Sequence, residues 1–350
     1  MTLELTIVVP AFNEAHRLAE GMKRFDVAVG DGGVDIERTE VVVVDDGSSD
    51  GTTATARSLL SALPHYRVVT LPANRGKGAA VRTGVALARS RHVAFMDADM
   101  AIDPRAIPQL VSGLETNDLV IGSRALPDSM VESTYAIRSV MGRLFNRLVT
   151  TGTGLGLEDT QCGFKAFRSP VARLLFHLVR IDRFAFDVEI LTRARRLGLR
   201  IAEVPVQWRH VFGSSVHPLH DSIGMLTDVG RSRLGLVGTP PVPSVVVGNW
   251  PGAVDAGDAS GLTEGLTEAV QRVVSDSLDG APMPVLAAGR SAVVLLPLVG
   301  PADCAVVLSA LRAEFAALPV SRQVMGIDDL TGLGPLSGRL DAPPAPQGTV

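Results

Sequence analysis

Short apolar segments alternate with longer segments of helical spacing over roughly the first 120 residues, and this alternation constrains the fold more than any other feature. The apolar segments are rich in β-branched residues, and each ends at a turn. Such a pattern predicts βαβ units and an α/β fold with a mostly parallel sheet and flanking helices. The predicted strands are Leu5–Pro10, Glu40–Val44, Val68–Leu71, His92–Met96 and Leu119–Gly122, and the predicted helices are Glu14–Val27, Gly51–Ala62, Gly78–Arg89 and Pro104–Leu114.

Polar residues follow each of the five predicted strands. In open α/β sheets, ligands bind beyond the carboxyl ends of the strands. Five polar loops at that edge therefore predict a single binding site. The loops are Asn13-Glu14, Asp45-Asp46, Asn74–Lys77, Asp97–Asp99 and Ser123-Arg124.

Asp97 and Asp99 follow the fourth strand with one residue between them. Two carboxylates at this spacing can share a divalent cation with the oxygens of a diphosphate, because Mg²⁺ and Mn²⁺ prefer hard oxygen ligands. Taken alone, the pair is equally compatible with aspartates that cap a turn. Its place among the other polar loops favours the metal site.

Two further loops offer groups for a nucleotide. Asp46 can accept an N–H of a uracil-like base, with Ser48 or Ser49 capping the next helix. The loop Asn74–Lys77 offers glycine for close backbone approach and Lys77 as a counter-charge for a diphosphate. For each loop the alternative is a strand–helix turn that binds nothing.

The charge and the cysteine content exclude several classes of protein. The formal net charge is −4, and residues 241–350 hold 5 Lys and Arg against 11 Asp and Glu. No basic stripe typical of nucleic-acid binders is present. Two distant cysteines do not indicate a disulfide framework, so a reducing cytoplasm is expected. No apolar run reaches the ~20 residues of a membrane span, which favours a soluble or peripheral protein.

The second half of the chain predicts further units. Tyr135–Val149 has an apolar stripe flanked by arginines, which indicates either a core-packing helix or a helix on an anionic membrane. The expected divisions are a catalytic domain over 1–236, a proline-rich linker over 237–250, a small α+β module of unknown role over 251–340 and a disordered tail over 341–350.

The motifs together resemble family 2 inverting glycosyltransferases of the GT-A fold, and in particular the dolichyl-phosphate β-glucosyltransferase branch. The resemblance covers roughly residues 3–235, and the string Asp159–Lys165 is its most specific part. Ala101 stands where mannose synthases carry glutamine, which favours the glucosyl branch. The other motifs are Val9–Glu14, Asp45–Thr52, Asn74–Gly84, Asp97–Asp99, Gly122–Arg124, Phe186–Leu191, Glu203–Trp208 and Gly213–Ser215.

The resemblance implies a role for individual residues. Pro10, Phe12 and Glu14 line the base and ribose pocket. Asp46 reads the base, Lys77 contacts phosphate, Asp97 faces ribose or metal, and Asp99 binds the metal. Arg124 and Arg138 lie near an acceptor phosphate, which an arginine fork fits. For the two arginines, the alternative is a surface salt bridge.

Several residues have more than one interpretation. Asp159 belongs to the site, either as a general base or as a group that holds the sugar or Lys165. Cys162 is interpreted as a packing residue because no histidine partner is evident. Asp187 and Glu189 either orient an acceptor loop or pair on a helix. His217 and His220 either supply a metal ligand from a closing loop or lie in solvent.

The expected function is metal-dependent, inverting transfer of glucose from UDP-glucose to a polyprenyl phosphate. The expected location is the cytoplasm, either free or attached peripherally to the inner face of the membrane. Two alternatives remain: transfer to a soluble hydroxyl acceptor, and a regulator that binds a nucleotide sugar without catalysis. The eukaryotic-type members of this branch carry an N-terminal membrane anchor, and their chains usually end soon after the element that corresponds to Gly213–Ser215. This chain shows no such anchor and continues for about a hundred residues.

Overall fold

The computed structural model describes residues 3–132, 155–209, 242–248, 259–288, 291–316, 318–325, 329–330 and 336. Its first half alternates strands and helices, as the sequence predicts. Those elements are β1 (Leu5–Ala11), α1 (Ala15–Gly30), β2 (Thr39–Asp45), α2 (Thr52–Leu60), β3 (Tyr66–Thr70), α3 (Lys77–Leu87), β4 (His92–Met96), α4 (Ile107–Gly113) and β5 (Leu119–Ser123).

The elements that follow complete the first sheet and form a second one. Short 3₁₀ turns, Ile36–Arg38 and Pro104–Ala106, precede β2 and α4. The later elements are β6 (Met130–Glu132), β7 (Phe164–Arg168), α5 (Ser169–Leu178), α6 (Phe186–Arg196), β8 (Ile201–Pro205), β9 (Gln207–Arg209), β10 (Val242–Gly248), α7 (Ala259–Ser277), β11 (Val285–Ala288), β12 (Ser291–Leu295), α8 (Pro301–Glu314) and β13 (Val320–Met325).

The main sheet has seven strands in the order β3-β2-β1-β4-β7-β5-β8. β7 runs antiparallel to β4 and β5, and the remaining pairs are parallel. The sheet is buried on both faces, and β1 and β2 are buried along their whole length. The α/β fold predicted from the sequence is confirmed.

Alternate residues of the strands pack into two cores on opposite faces of the sheet. Ile7 and Val9 join the core under α1, α2 and α4, whereas Val8 joins the core under α3, α5 and α6. This alternation follows from the two-residue period of a strand. Because β1 pairs in parallel with both β2 and β4, the carboxyl ends of these three strands lie at the same edge of the sheet.

The second sheet is antiparallel, in the order β11-β12-β10-β13. One of its faces packs on α7 and α8, and the other continues the core that lies under α5 and α6. The Leu298 backbone N–H donates to His177 Nδ1 at 3.0 Å, and the Leu336 N–H donates to Leu197 O at 3.0 Å. These contacts fix the second sheet against the first unit.

The predicted linker over 237–250 is wrong for residues 242–248. These residues form β10, which pairs with β12 on one side and β13 on the other. Pro243 is the second residue of the strand, a position near the strand start where proline is tolerated, and the valines that follow favour the extended backbone. The other domain boundaries stay predictions, and the tail over 341–350 lies outside the described residues.

Candidate active site

The loop after β4 carries Asp97 and Asp99, and α1 holds this loop in place. A Cβ on Gly21 of α1 would lie 2.3 Å from the Ala98 carbonyl oxygen, so the helix approaches as closely as only glycine permits. Arg24 Nη1 donates to the Asp99 and Met100 carbonyl oxygens at 3.3 and 3.1 Å. Both aspartates are therefore presented at a fixed edge of the sheet.

Asp97 and Lys77 form an ion pair across this edge. Lys77 Nζ lies 2.6 Å from Asp97 Oδ1, and the Asp97 side chain is 47% exposed. Burial lowers the pKa of Lys77, but the negative charges of Asp97 and Asp187 outweigh this effect, so the pKa is raised and the side chain stays charged. The two residues predicted to contact phosphate and metal thus lie in direct contact.

Asp99 has its own cationic partner, Arg17 of α1. Arg17 Nη2 donates to Asp99 Oδ2, and Nη1 donates to Glu14 Oε1 at 2.6 Å. Burial raises the pKa of Glu14 to about 7, against the opposing effect of Arg17. Arg17 was not among the predicted site residues. Its position three residues after Glu14 on a predicted helix indicates the pair with Glu14 but not the contact with Asp99.

The loops after β1 and β2 are tied to each other by side-chain caps. Asn13 adopts a positive φ of 53°. Its N–H donates to Ser48 Oγ at 2.8 Å, and its Oδ1 accepts the Ser49 N–H at 2.9 Å. Asp45 Oδ1 accepts the Ser48 N–H at 2.9 Å. These bonds hold the loop that carries Phe12 and Glu14 at the same edge as Asp46, next to Pro10 at the end of β1. The role of these residues in donor binding stays a prediction.

Asp46 is buried and accepts the backbone N–H groups of Arg75 and Gly76 at 2.9 and 2.7 Å. Burial raises its pKa, against those two hydrogen bonds. The carboxylate therefore fixes the loop that carries Lys77. Each oxygen keeps a second lone pair for a base N–H, so recognition of the base by Asp46 stays a prediction.

Arg124 and Asp159 form a forked ion pair on the other side of the site. Nε lies 2.7 Å from Oδ2 and Nη2 lies 3.0 Å from Oδ1, while the Arg124 backbone N–H also donates to Oδ2 at 3.0 Å. Burial raises the pKa of Asp159, but Arg124 outweighs it and the net shift is downward. A carboxylate with a lowered pKa and both oxygens bonded is a poor general base.

Lys165 lies beneath the site, fully buried in β7. Its Nζ donates to Asp187 Oδ1 at 2.6 Å and to the Cys162 carbonyl oxygen at 2.7 Å. The pair holds the segment before β7 against α6. Burial raises the pKa of the Cys162 thiol to about 12, which agrees with a packing role for that residue. Glu189, in contrast, accepts the N–H groups of Arg180 and Ile181 and stabilises their loop.

A pocket opens between the two halves of the site, beside Asp97 and Arg124. A Cβ on Gly163 would lie 2.2 Å from Asp97 Oδ2, so the carboxylate occupies space that only glycine leaves open. Trp208 reaches this pocket from β9, which bridges to Ile102. The lining residues are Met96, Asp97, Met100, Ala101, Ile102, Arg124, Gln161, Gly163 and Trp208.

The acidic side chains at this edge can serve a divalent ion only together with a bound ligand. Within the described residues, no group of three or more His, Cys, Asp or Glu side chains is placed to hold a metal ion. Asp97 and Asp99 supply two carboxylates, and a phosphate-bound Mg²⁺ needs only one or two of these, because substrate oxygens and water complete its shell. The residues therefore fit an ion that binds together with a diphosphate.

Two groups of predicted residues lie outside the described part of the chain. Arg138 and the amphipathic segment 135–149 are in the first, and His217 and His220 are in the second. Their assignments stay predictions. Among the helices of the described ranges, none combines the length and the hydropathy that a membrane span requires.

Known proteins are similar to this chain in sequence and in fold. A sequence model of glycosyl transferase family 2 matches residues 6–176. Dolichyl-phosphate beta-glucosyltransferases of Dictyostelium discoideum and Drosophila melanogaster are 37% and 36% identical over 240 residues, which is 65% of this chain and 73% and 74% of theirs. The chain belongs to glycosyl transferase family 2. It is therefore a glycosyltransferase, as the sequence predicts.

Solved structures share the GT-A fold of this chain. Glucosyl-3-phosphoglycerate synthase from Mycobacterium tuberculosis, in complex with Mn²⁺, UDP and glucosyl-3-phosphoglycerate, has a TM-score of 0.51 and 24% identity over 69% of this chain and 84% of that one. The complex of the same enzyme with Mn²⁺ and UDP-glucose has a TM-score of 0.51 and 23% identity, over 69% and 83%. These similarities establish the fold alone.

Proposed function

We propose that this family 2 glycosyltransferase transfers glucose from UDP-glucose to a polyprenyl phosphate. The observation that carries the proposal is the Arg124–Asp159 pair beside the pocket. A hydroxyl acceptor needs a base, and Asp159 is bonded through both oxygens with a lowered pKa. A phosphate acceptor is already anionic and needs a cation, which Arg124 supplies.

The relatives support the same acceptor and the same sugar. Their printed name is dolichyl-phosphate beta-glucosyltransferase, and the human protein of that name is 35% identical over 254 residues, 67% of this chain and 76% of its own length. UDP as the nucleotide is supported by Asp46, whose two carboxylate oxygens each keep a lone pair for a base N–H. The name of the relatives and the guanidinium of Arg124 at the pocket thus favour one reaction.

In the proposed reaction an acceptor phosphate oxygen attacks C1 of glucose, and the bond from C1 to the UDP oxygen breaks, with inversion at C1. Asp97 and Asp99 would hold the divalent ion, which neutralises negative charge on the diphosphate. Lys77 adds positive charge at the same place, because its pKa is raised. Arg124 orients the acceptor phosphate, and Asp159 orients Arg124.

Purified full-length protein with UDP-glucose and Mg²⁺ or Mn²⁺ should release UDP when polyprenyl phosphate is added in detergent, and glucose should appear on the lipid. The matched control is polyprenol of the same length without the phosphate, which should give no transfer because no base is available. Equal rates with the alcohol and the phosphate would contradict the proposed acceptor. GDP-mannose in place of UDP-glucose tests the donor in the same assay.

A further inference from the structure

Arg17 lies on α1 between two carboxylates and bonds to each of them. Nη1 donates to Glu14 Oε1 at 2.6 Å, and Nη2 donates to Asp99 Oδ2. The other Asp99 oxygen accepts the backbone N–H of Ala101 at 3.0 Å. A cation of the chain therefore already neutralises one of the two carboxylates assigned to the divalent ion.

Two buried polar atoms of this cluster have no hydrogen-bond partner among the described residues. They are Glu14 Oε2, an acceptor, and Arg17 Nε, a donor. Both belong to residues that are already bonded to each other through their other atoms. Buried polar atoms without partners are unfavourable, so an arrangement in which Arg17 Nε donates to Glu14 Oε2 would add a hydrogen bond that the present arrangement lacks.

The guanidinium can make that pair by turning its Nε–Nη2 edge toward Glu14. Other arginines of this chain dock on carboxylates through the same edge. Arg67 uses Nε and Nη2 on Glu40 at 2.6 and 2.7 Å, and Arg124 uses them on Asp159 at 2.7 and 3.0 Å. In Arg17 the Nη2 group is the one now bonded to Asp99, so the turn releases Asp99 Oδ2.

We propose that Arg17 exchanges between Asp99 and Glu14, and that this exchange sets the affinity of the Asp97–Asp99 pair for a divalent ion. Before the ion binds, Arg17 bridges both carboxylates. When the ion binds, Arg17 forks onto Glu14 and leaves Asp99 free. Arg17 and Glu14 are positioning residues here, and the inference rests on the proposed metal-dependent function.

Mn²⁺ titration of the full-length chain without nucleotide, with free Mn²⁺ quantified by electron paramagnetic resonance, tests the exchange. Arg17→Gln should bind Mn²⁺ about tenfold more tightly, because one charge-assisted hydrogen bond no longer competes for Asp99. Glu14→Gln should bind it several-fold more weakly, because Arg17 then keeps Asp99 as its only anionic partner in this cluster. The two halves of one ion pair thus shift the affinity in opposite directions.

Lys23 and Glu20 supply matched controls on the same helix. They form a 2.7 Å pair with side chains 70% and 46% exposed, so Lys23→Gln and Glu20→Gln repeat the two charge changes away from the site. Both should stay within about twofold of the unaltered chain, since exposed charges are screened. Arg17→Met, which removes the charge without adding a polar group, should tighten binding as Arg17→Gln does.

Shifts in the same direction for the Arg17 and Glu14 variants, or shifts no larger than those of the controls, would overturn the exchange. Absence of Mn²⁺ binding by both the unaltered chain and Arg17→Gln would overturn it together with the metal-dependent part of the proposed function. If the Mn²⁺ affinities of the Arg17 and Glu14 variants shift in opposite directions but no glucose is transferred to polyprenyl phosphate, the exchange is supported and the proposed acceptor is wrong.

Discussion

Replacing Gly163 by alanine should disable catalysis and leave the fold intact. A Cβ there would lie 2.2 Å from Asp97 Oδ2 and 2.7 Å from Asp97 Cγ. Ordinary contacts begin at 3.4 Å, so the carboxylate would have to withdraw by roughly 1.2 Å. It can withdraw, because the Asp97 side chain is 47% exposed and is not locked by packing.

The withdrawal affects the rate far more than the stability. It disrupts the 2.6 Å pair with Lys77 and displaces a carboxylate assigned to the divalent ion. A misplacement of about 1 Å in a catalytic site costs about 100-fold, so kcat/KM for UDP-glucose should fall roughly 100-fold. The free energy of unfolding should change by about 1 kcal/mol or less, because a partly exposed side chain relieves the contact.

The assay pairs UDP release with thermal unfolding. Gly30→Ala is the matched control, because a Cβ on Gly30 has no atom within 4 Å and the residue ends α1 away from the loops of the site. It should leave both kcat/KM and Tm close to those of the unaltered chain. If Gly163→Ala keeps more than a third of kcat/KM, the position of Asp97 does not govern the reaction.

Three further predictions follow from the ionisable groups. Asp159→Asn should raise the KM for polyprenyl phosphate about tenfold, because Arg124 loses the carboxylate that positions it, and should leave the pH profile of kcat unchanged. Loss of the high-pH plateau of kcat with an unchanged KM would instead indicate that Asp159 acts as a general base. Burial lowers the pKa of His92 to about 4 from 6.5, so stability is lost as pH falls from 6.5 to 4, by at most about 3 kcal/mol. In denaturant unfolding, the free energy of unfolding of His92→Asn should fall less between pH 6.5 and pH 4 than that of the unaltered chain. An equally steep fall in both would contradict this prediction. Because burial raises the pKa of Cys162 to about 12, iodoacetamide at pH 8 should label it only after unfolding, as mass spectrometry would detect; rapid labelling of the native chain would refute it.

The sequence predicts the strands of the first half well because their apolar runs are short and end at turns. It does not predict β7, which lies between β4 and β5 in the sheet although it follows both in the chain. Its five residues, Phe164–Arg168, place Lys165 at the buried centre of the sheet. A lysine is stable there only because Asp187 and the Cys162 carbonyl accept from it, and such a long-range pair leaves no local signal.

Local sequence pattern likewise predicts some residues of the candidate site and not others. Its anionic members follow strands, so the sequence identifies Asp46, Asp97 and Asp99 from local pattern. The residues that determine their geometry do not follow strands: Arg17 lies on a helix 82 positions before Asp99, and Gly163 is 66 positions after Asp97. Their contribution depends on close approach in three dimensions, which spacing along the chain does not encode.

Ion pairing explains how the site can hold so many carboxylates before any donor binds. Within the described residues the pairs are Asp97 with Lys77, Asp99 with Arg17, Asp159 with Arg124 and Asp187 with Lys165. A ligand of large net charge would leave one partner of a pair buried and uncompensated, which is strongly unfavourable. The two negative charges of a sugar nucleotide and the two positive charges of one divalent ion sum to zero. The donor and the ion can therefore bind together if the charged side chains of the site exchange their ion-pair partners. In the proposed exchange, Lys77 would pass from Asp97 to the diphosphate while Arg17 passes from Asp99 to Glu14, so the net charge of the donor side would not change when the donor and the ion bind together.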